Sequence, residues 1–156
     1  MIDKVFIFES ALRELREEQA RWGIRETGGL LLGYIAQGTG VITQITGPGA
    51  KARHGFCRFE RDAEYSKAKV AEEFSISKGL ITYIGEWHTH PLGLLRPSRI
   101  DNDQMKEISL DAERQCSEPL LLLSGSLLVG KDCLNAFVYR GSAIPLPVEV
   151  LVSHGY

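Results

Sequence analysis

The sequence predicts an α/β (α+β) fold, a mixed central sheet flanked by about three helices. Three observations carry this reading. Runs rich in leucine, β-branched and aromatic residues recur at 28–36, 41–46, 80–87, 119–123 and 134–140, as buried strands do. The stretches 10–22, 62–78 and the one opening at Ser98 carry apolar residues at helical spacing. The two kinds intermix along the chain instead of segregating. A length of 156 residues is that of one domain, 1–156. Such a chain buries about 68–70% of its unfolded surface, enough for an independent core.

Taken in order, residues 4–8 suit a short strand or a helix entry. A helix follows over about 10–22, with Leu12, Leu15 and Trp22 inward, a Glu17–Arg21 pair outward and Gly23 as its stop. Residues 28–36 read as a buried strand. Its opening Gly28-Gly29 permits a close backbone approach or a bulge. A turn at 37–40 leads to the partner strand over 41–46. Residues 47–55 read as a mobile, solvated loop bearing Lys51, Arg53 and His54, with a flap over a substrate tail as the alternative. A short strand spans 56–59, and Asp62 caps a helix that turns Val70, Ala71 and Phe74 inward and ends near Gly79. After the segment described next, 119–123 is a buried strand that Ser124-Gly125-Ser126 interrupts. Gly130-Lys131-Asp132 is a turn into the strand 134–140. The alternating tail 144–152 reads as an edge strand, because Pro145 and Pro147 cannot donate to a ladder.

Composition narrows the partners. The chain is 44% hydrophobic and 24% charged, with net charge −2. No charge imbalance points to nucleic acid or a membrane surface. The start lacks a signal peptide's apolar segment, and no apolar run approaches the ~20 residues that span a bilayer. Cys57, Cys116 and Cys133 are odd in number and far apart, which suggests thiols, mostly core, in a reducing cytoplasm.

The chemistry concentrates at His88-Thr89-His90-Pro91 and Ser98-Arg99-Ile100-Asp101. Two of the four histidines stand two positions apart at the end of a strand. Successive strand side chains alternate faces, so His88 and His90 project the same way. Ser98 suits the N-cap of the next helix, with Met105, Ile108 and Ala112 following at helical spacing. Asp101, three residues on, faces the same point and is the natural third ligand. Ser-x-x-Asp is also an ordinary capping arrangement, and the two roles are compatible. Two imidazoles and one carboxylate match a catalytic zinc site, which keeps a position open for water, whereas structural sites have four protein ligands. Glu86 shares the strand face of the histidines and is, on spacing alone, the better guess for a base or a partner to a ligand.

His-x-His-Pro, the six residues Leu92 to Pro97, then Ser-x-x-Asp resembles the signature of the JAMM (JAB1/MPN+) metalloproteases. The resemblance spans roughly residues 10 to 140. It implies the cytidine-deaminase-like JAB/MPN layered fold. It also selects Glu26, in Glu26-Thr27-Gly28-Gly29, over Glu86 as the catalytic glutamate. On this reading His88, His90 and Asp101 hold one zinc ion with a bound water. Glu26 acts as general base and then acid, and Ser98 donates to the oxyanion of the tetrahedral intermediate. The bond cleaved is an amide, peptide or isopeptide.

The run Gly85 to Pro91 and the Gly47-Pro48-Gly49 loop resemble, in particular, the small JAB peptidases of type II CBASS anti-phage operons. Those remove a nucleotidyltransferase (CD-NTase) from lysine conjugates made by an E1/E2-like protein. The expected partner is therefore a protein with an extended C-terminal tail. A sulfur-carrier protein is the alternative substrate, and a metal-free MPN binding module the alternative class. The latter typically lacks the ligands that are all present here. A zinc nucleoside deaminase would need His-x-Glu and Pro-Cys-x-x-Cys, and neither occurs.

Overall fold

A computed structural model describes residues 1–56, 59–125 and 133–152. The architecture is mixed α/β, as the sequence predicts. The strands are β1 (Lys4–Phe8), β2 (Gly28–Ala36), β3 (Thr39–Ile45), β4 (Arg53–His54), β5 (Phe59–Glu60), β6 (Thr82–Thr89), β7 (Leu120–Gly125), β8 (Cys133–Tyr139), β9 (Ala143–Leu146) and β10 (Val148–Leu151). The helices are α1 (Glu9–Trp22), α2 (Ala63–Ile76) and α3 (Arg99–Leu110). Eight strands form one sheet in the order β10-β1-β3-β2-β6-β7-β8-β9, and β4 and β5 form a small second one. The pairs β1–β10, β1–β3 and β6–β7 are parallel and the others antiparallel. Among the described residues, no helix is long and apolar enough to cross a membrane.

Both faces of the sheet are covered, which explains its unbroken leucines. On one face Ala11, Leu12 and Leu15 of α1 pack with Val5, Ile7, Leu31, Ile42, Trp87, Leu120 and Leu122. On the other, Met105 and Ile108 of α3 pack with Leu121, Leu123, Phe137 and Tyr139. Alternate leucines of β7 thus serve opposite layers, as the two-residue period of a strand requires. Gly23, with φ 58°, closes α1 by donating its N–H to the Gln19 carbonyl.

Several expectations need correction. Residues 4–8 form a strand that runs directly into α1. Arg21 pairs with Glu18 at 2.7 Å, an i,i+3 partner in place of the expected i,i+4 partner Glu17. Asp62 does cap α2, accepting from the Tyr65 N–H. However, the face expected inward is largely open: Val70 is half-buried, Ala71 is exposed and Phe74 is 52% exposed. Ser66 is the buried residue of that helix instead, so neighbouring contacts, not its apolar stripe, set its rotation. The 47–55 loop is tied to the start of α2. Pro48 accepts from the Asp62 N–H, and the Asp62 carboxylate accepts from the Lys51 N–H at 3.1 Å. Gly49 has φ 86°, and a Cβ there would lie 2.5 Å from Asp62 Cβ, so only glycine fits this closure.

Ser124 and Gly125 extend β7 instead of interrupting it, and Ser124 Oγ bonds Gln19 of α1 at 2.5 Å. The tail forms two short strands, not one. They sit at opposite ends of the sheet order, joined only through Pro147, whose carbonyl accepts from the Val5 N–H. The sheet therefore curls until its two ends nearly meet. Cys116 and Cys133 are free and half-buried, less enclosed than core thiols. Cys57, the centre of the expected 56–59 strand, lies outside the described residues, as do Ser126 and the 130–132 turn.

Candidate metal centre

β6 delivers the imidazoles. His88 and His90 share one face and Trp87 takes the other, where it is buried in the core with its indole N–H donating to the Thr46 carbonyl at 2.9 Å. A bulge sets this phase. Leu31 pairs with Gly85 but Leu32 pairs with Tyr83, so Ile84 is the extra residue. Beyond the bulge, Gly28 of β2 lies opposite His88. A Cβ on Gly28 would stand 2.4 Å from the Trp87 carbonyl and 2.8 Å from His88 Cβ. The glycine is thus needed for close approach of the two strands, and the bulge lies three residues further on. The pairing continues past β2 through Thr27, which exchanges hydrogen bonds with Thr89. That register places Glu26 level with His90.

α3 delivers the carboxylate. Ser98 Oγ accepts from the Asp101 N–H at 3.1 Å, and Asp101 Oδ2 accepts from the Ser98 N–H at 2.7 Å, a reciprocal capping box. The same carboxylate faces both imidazoles: Oδ1 is 2.8 Å from His88 Nε2 and Oδ2 is 3.2 Å from His90 Nε2. Capping and convergence on the histidines therefore coexist in one side chain. His90 Nδ1 meets the Leu94 carbonyl at 3.0 Å, so this nitrogen carries a proton and, in the neutral ring, Nε2 is the one with the lone pair.

The donor set fits a metal ion. One ligand atom from each of His88, His90 and Asp101 lies within 4.8 Å of the others. His88 Nε2 is buried and close to Asp101, but the contact lacks hydrogen-bond alignment and leaves the nitrogen without a partner. An orphaned buried polar atom costs about 1–3 kcal/mol, a cost that ligation removes. Two imidazole nitrogens and one carboxylate oxygen are a set that zinc takes.

The electrostatics agree with a site for a cation. Burial disfavours charge on Asp101, but the two imidazoles and the Ser98 amide outweigh it and hold the carboxyl well below the usual range. Burial likewise opposes protonation of His90, yet Asp101 and the Leu94 carbonyl raise its pKa. Burial pushes the Glu26 carboxyl up, against the attraction of His88 and His90.

His88, His90, Asp101, Ser98 and Glu26 all line one cleft of about 700 Å³. Phe56, Leu92, Leu94 and Ile100 line its mouth and expose apolar surface. Glu86, the nearer glutamate in sequence, also reaches the cleft wall but is engaged elsewhere. Its Oε1 lies 2.6 Å from Arg61, 3.4 Å from Arg114 and 3.4 Å from the Tyr83 hydroxyl. The ion pairs of Arg61 and Arg114 with Glu86 and the Leu94 carbonyl's contact with His90 are contributions that sequence reasoning did not assign. None carries a local motif, and each depends on chain segments that meet only in the fold.

Residues 8–137 match the family model described as prokaryotic homologs of the JAB domain. A CD-NTase/cGAS isopeptidase of Enterobacter hormaechei is 28% identical over 95% of this chain and 82% of its own length. Another protein of that name, from Pseudomonas aeruginosa, is 32% identical over 90% of this chain and 88% of its own. A "probable metalloprotease" of Sinorhizobium fredii is 30% identical over 76% and 74% respectively. Among solved structures, the solution structure of a Desulfitobacterium hafniense protein superposes with a TM-score of 0.73 at 14% identity, covering 96% of this chain and 94% of that one. That likeness is one of fold.

Proposed function

This chain belongs to the family of prokaryotic JAB-domain homologues, and on that premise we propose that it is a zinc-dependent isopeptidase. It cleaves the amide bond after the extended C-terminal tail of a conjugated protein. The observation that carries the reading is the convergence of His88, His90 and Asp101, with an unpartnered buried ring nitrogen, on the floor of an open cleft.

His88 Nε2, His90 Nε2 and an Asp101 oxygen would hold the ion. A bound zinc supplies Lewis-acid polarisation of a carbonyl and makes water more acidic. Glu26, across the cleft, takes the proton of the attacking water and passes it to the leaving amine. Ser98 Oγ accepts from the Asp101 N–H, which leaves its own O–H to donate to the developing oxyanion. The capping box fixes that hydroxyl beside the carboxylate. The apolar mouth made by Phe56, Leu92, Leu94 and Ile100 suits an extended peptide better than a small polar substrate.

For the substrate, the relatives named CD-NTase/cGAS isopeptidases favour a CD-NTase joined to target lysines, which implies an E1/E2-like conjugating protein as a pathway partner. A direct test mixes the zinc-loaded protein with the candidate tail joined to a reporter. Cleavage at the junction is expected. Glu26→Ala should keep zinc and lose turnover, whereas His88→Ala should lose both. An intact junction with zinc bound would count against the proposal.

A further inference from the structure

Glu26 lies just outside β2, where the sheet ladder no longer holds its backbone. Both of its main-chain polar groups are taken by the neighbouring loop. Its N–H donates to the Gly55 carbonyl at 2.7 Å, and its own carbonyl meets His54 Nδ1 at 3.0 Å. A carbonyl oxygen only accepts, so Nδ1 is the protonated nitrogen there. The imidazole is itself fixed on both sides. It stacks on Trp22 of α1 with centroids 3.3 Å apart and planes at 10°, and it leans on Phe59 at 5.3 Å. His54 and Phe59 are also paired across the β4–β5 ladder. Burial lowers the His54 pKa, which favours the neutral ring that stacks on an indole.

We propose that His54 is a positioning residue for Glu26: its Nδ1–H, braced between Trp22 and Phe59, holds the backbone that aims the Glu26 carboxylate into the cleft. The inference rests on Glu26 as the proton carrier. Glu26 has no ladder of its own, so loss of this bond lets its Cα drift. A displacement of ~1 Å at a reacting group costs about 10²-fold in rate.

Two substitutions separate the hydrogen bond from the stack. His54→Phe keeps a flat ring on Trp22 and removes the donor. His54→Asn keeps a donor near the Nδ1 position and removes the ring. For the zinc-loaded enzyme on the tail–reporter substrate, His54→Phe should lower kcat by about 10- to 100-fold, with KM and zinc content unchanged. Hydrogen exchange at the Glu26 amide should accelerate about tenfold or more in that variant. His54→Asn should restore most of both. Parent-level kcat and amide protection in His54→Phe would overturn the inference, as would equal losses in the two variants, since packing alone would then explain them. Glu26→Ala, run alongside, separates the layers. If it is inactive while His54→Phe is not, only the positioning role fails. If it cleaves at the parent rate, the proton-carrier reading fails, and amide exchange still reports whether His54 holds that backbone.

Discussion

α2 and α3 both start with side-chain caps and differ by two residues in length. The Glu86 carboxylate reaches a residue beside each, Arg61 before α2 and Arg114 after α3. Yet α3 buries Asp101, Met105 and Ile108, whereas α2 buries only Ser66 and leaves Phe74 and Ile76 more than half exposed. An N-terminal cap therefore defines where a helix starts and not what it does. α3 is held along its length by a core and at its first turn by converging histidines. α2 is held chiefly at its start, through Asp62 and the loop it ties down.

This contrast yields tests of decreasing size. Asp101→Ala should abolish zinc binding and activity, because it removes a ligand and the cap together. Asp62→Ala, the matching position of α2, should leave zinc content at the parent level by mass spectrometry. Loss of zinc in the Asp62 variant would erase the distinction between the helices. Next, Met105→Ala should cost about 2–5 kcal/mol in urea unfolding, as buried methionines do. Phe74→Ala, on the open face of α2, should stay within about 0.5 kcal/mol, as exposed sites do. Equal costs would mean that α2 has a buried face after all.

How far the sequence announces these features depends on the range of the forces involved. His88 and His90 are legible because strand alternation is local, and Ser98–Asp101 because a capping box spans three residues. Glu26 is not legible from spacing. It joins the site through the β2–β6 register, and a family resemblance was needed to choose it over Glu86. The rotation of α2 is not legible, because apolar spacing states which residues form a stripe and not whether a partner layer reaches them. The tail departs from its expected single strand for a related reason: Pro147, with no N–H, marks the place where the chain passes from one end of the sheet to the other.

The smallest expected effect lies just past the end of α3. Burial raises the Cys116 thiol to about 11, so at pH 8 it is almost wholly protonated. Alkylation by iodoacetamide should be much slower than for a free cysteine, and should accelerate only as the pH approaches that value. Rapid labelling at pH 8 would show that the segment after α3 opens readily.

The tether between the Ser98 amide and Asp101 Oδ2 also bears on which cation the pocket selects. A freely swinging carboxylate can chelate through both oxygens, as calcium prefers in its shells of six to eight oxygens. With one oxygen committed to a backbone amide, Asp101 would favour monodentate ligation, and the two imidazoles would add borderline nitrogen donors that suit zinc better than calcium. On the proposed reading, discrimination against abundant hard cations would start in the first turn of a helix.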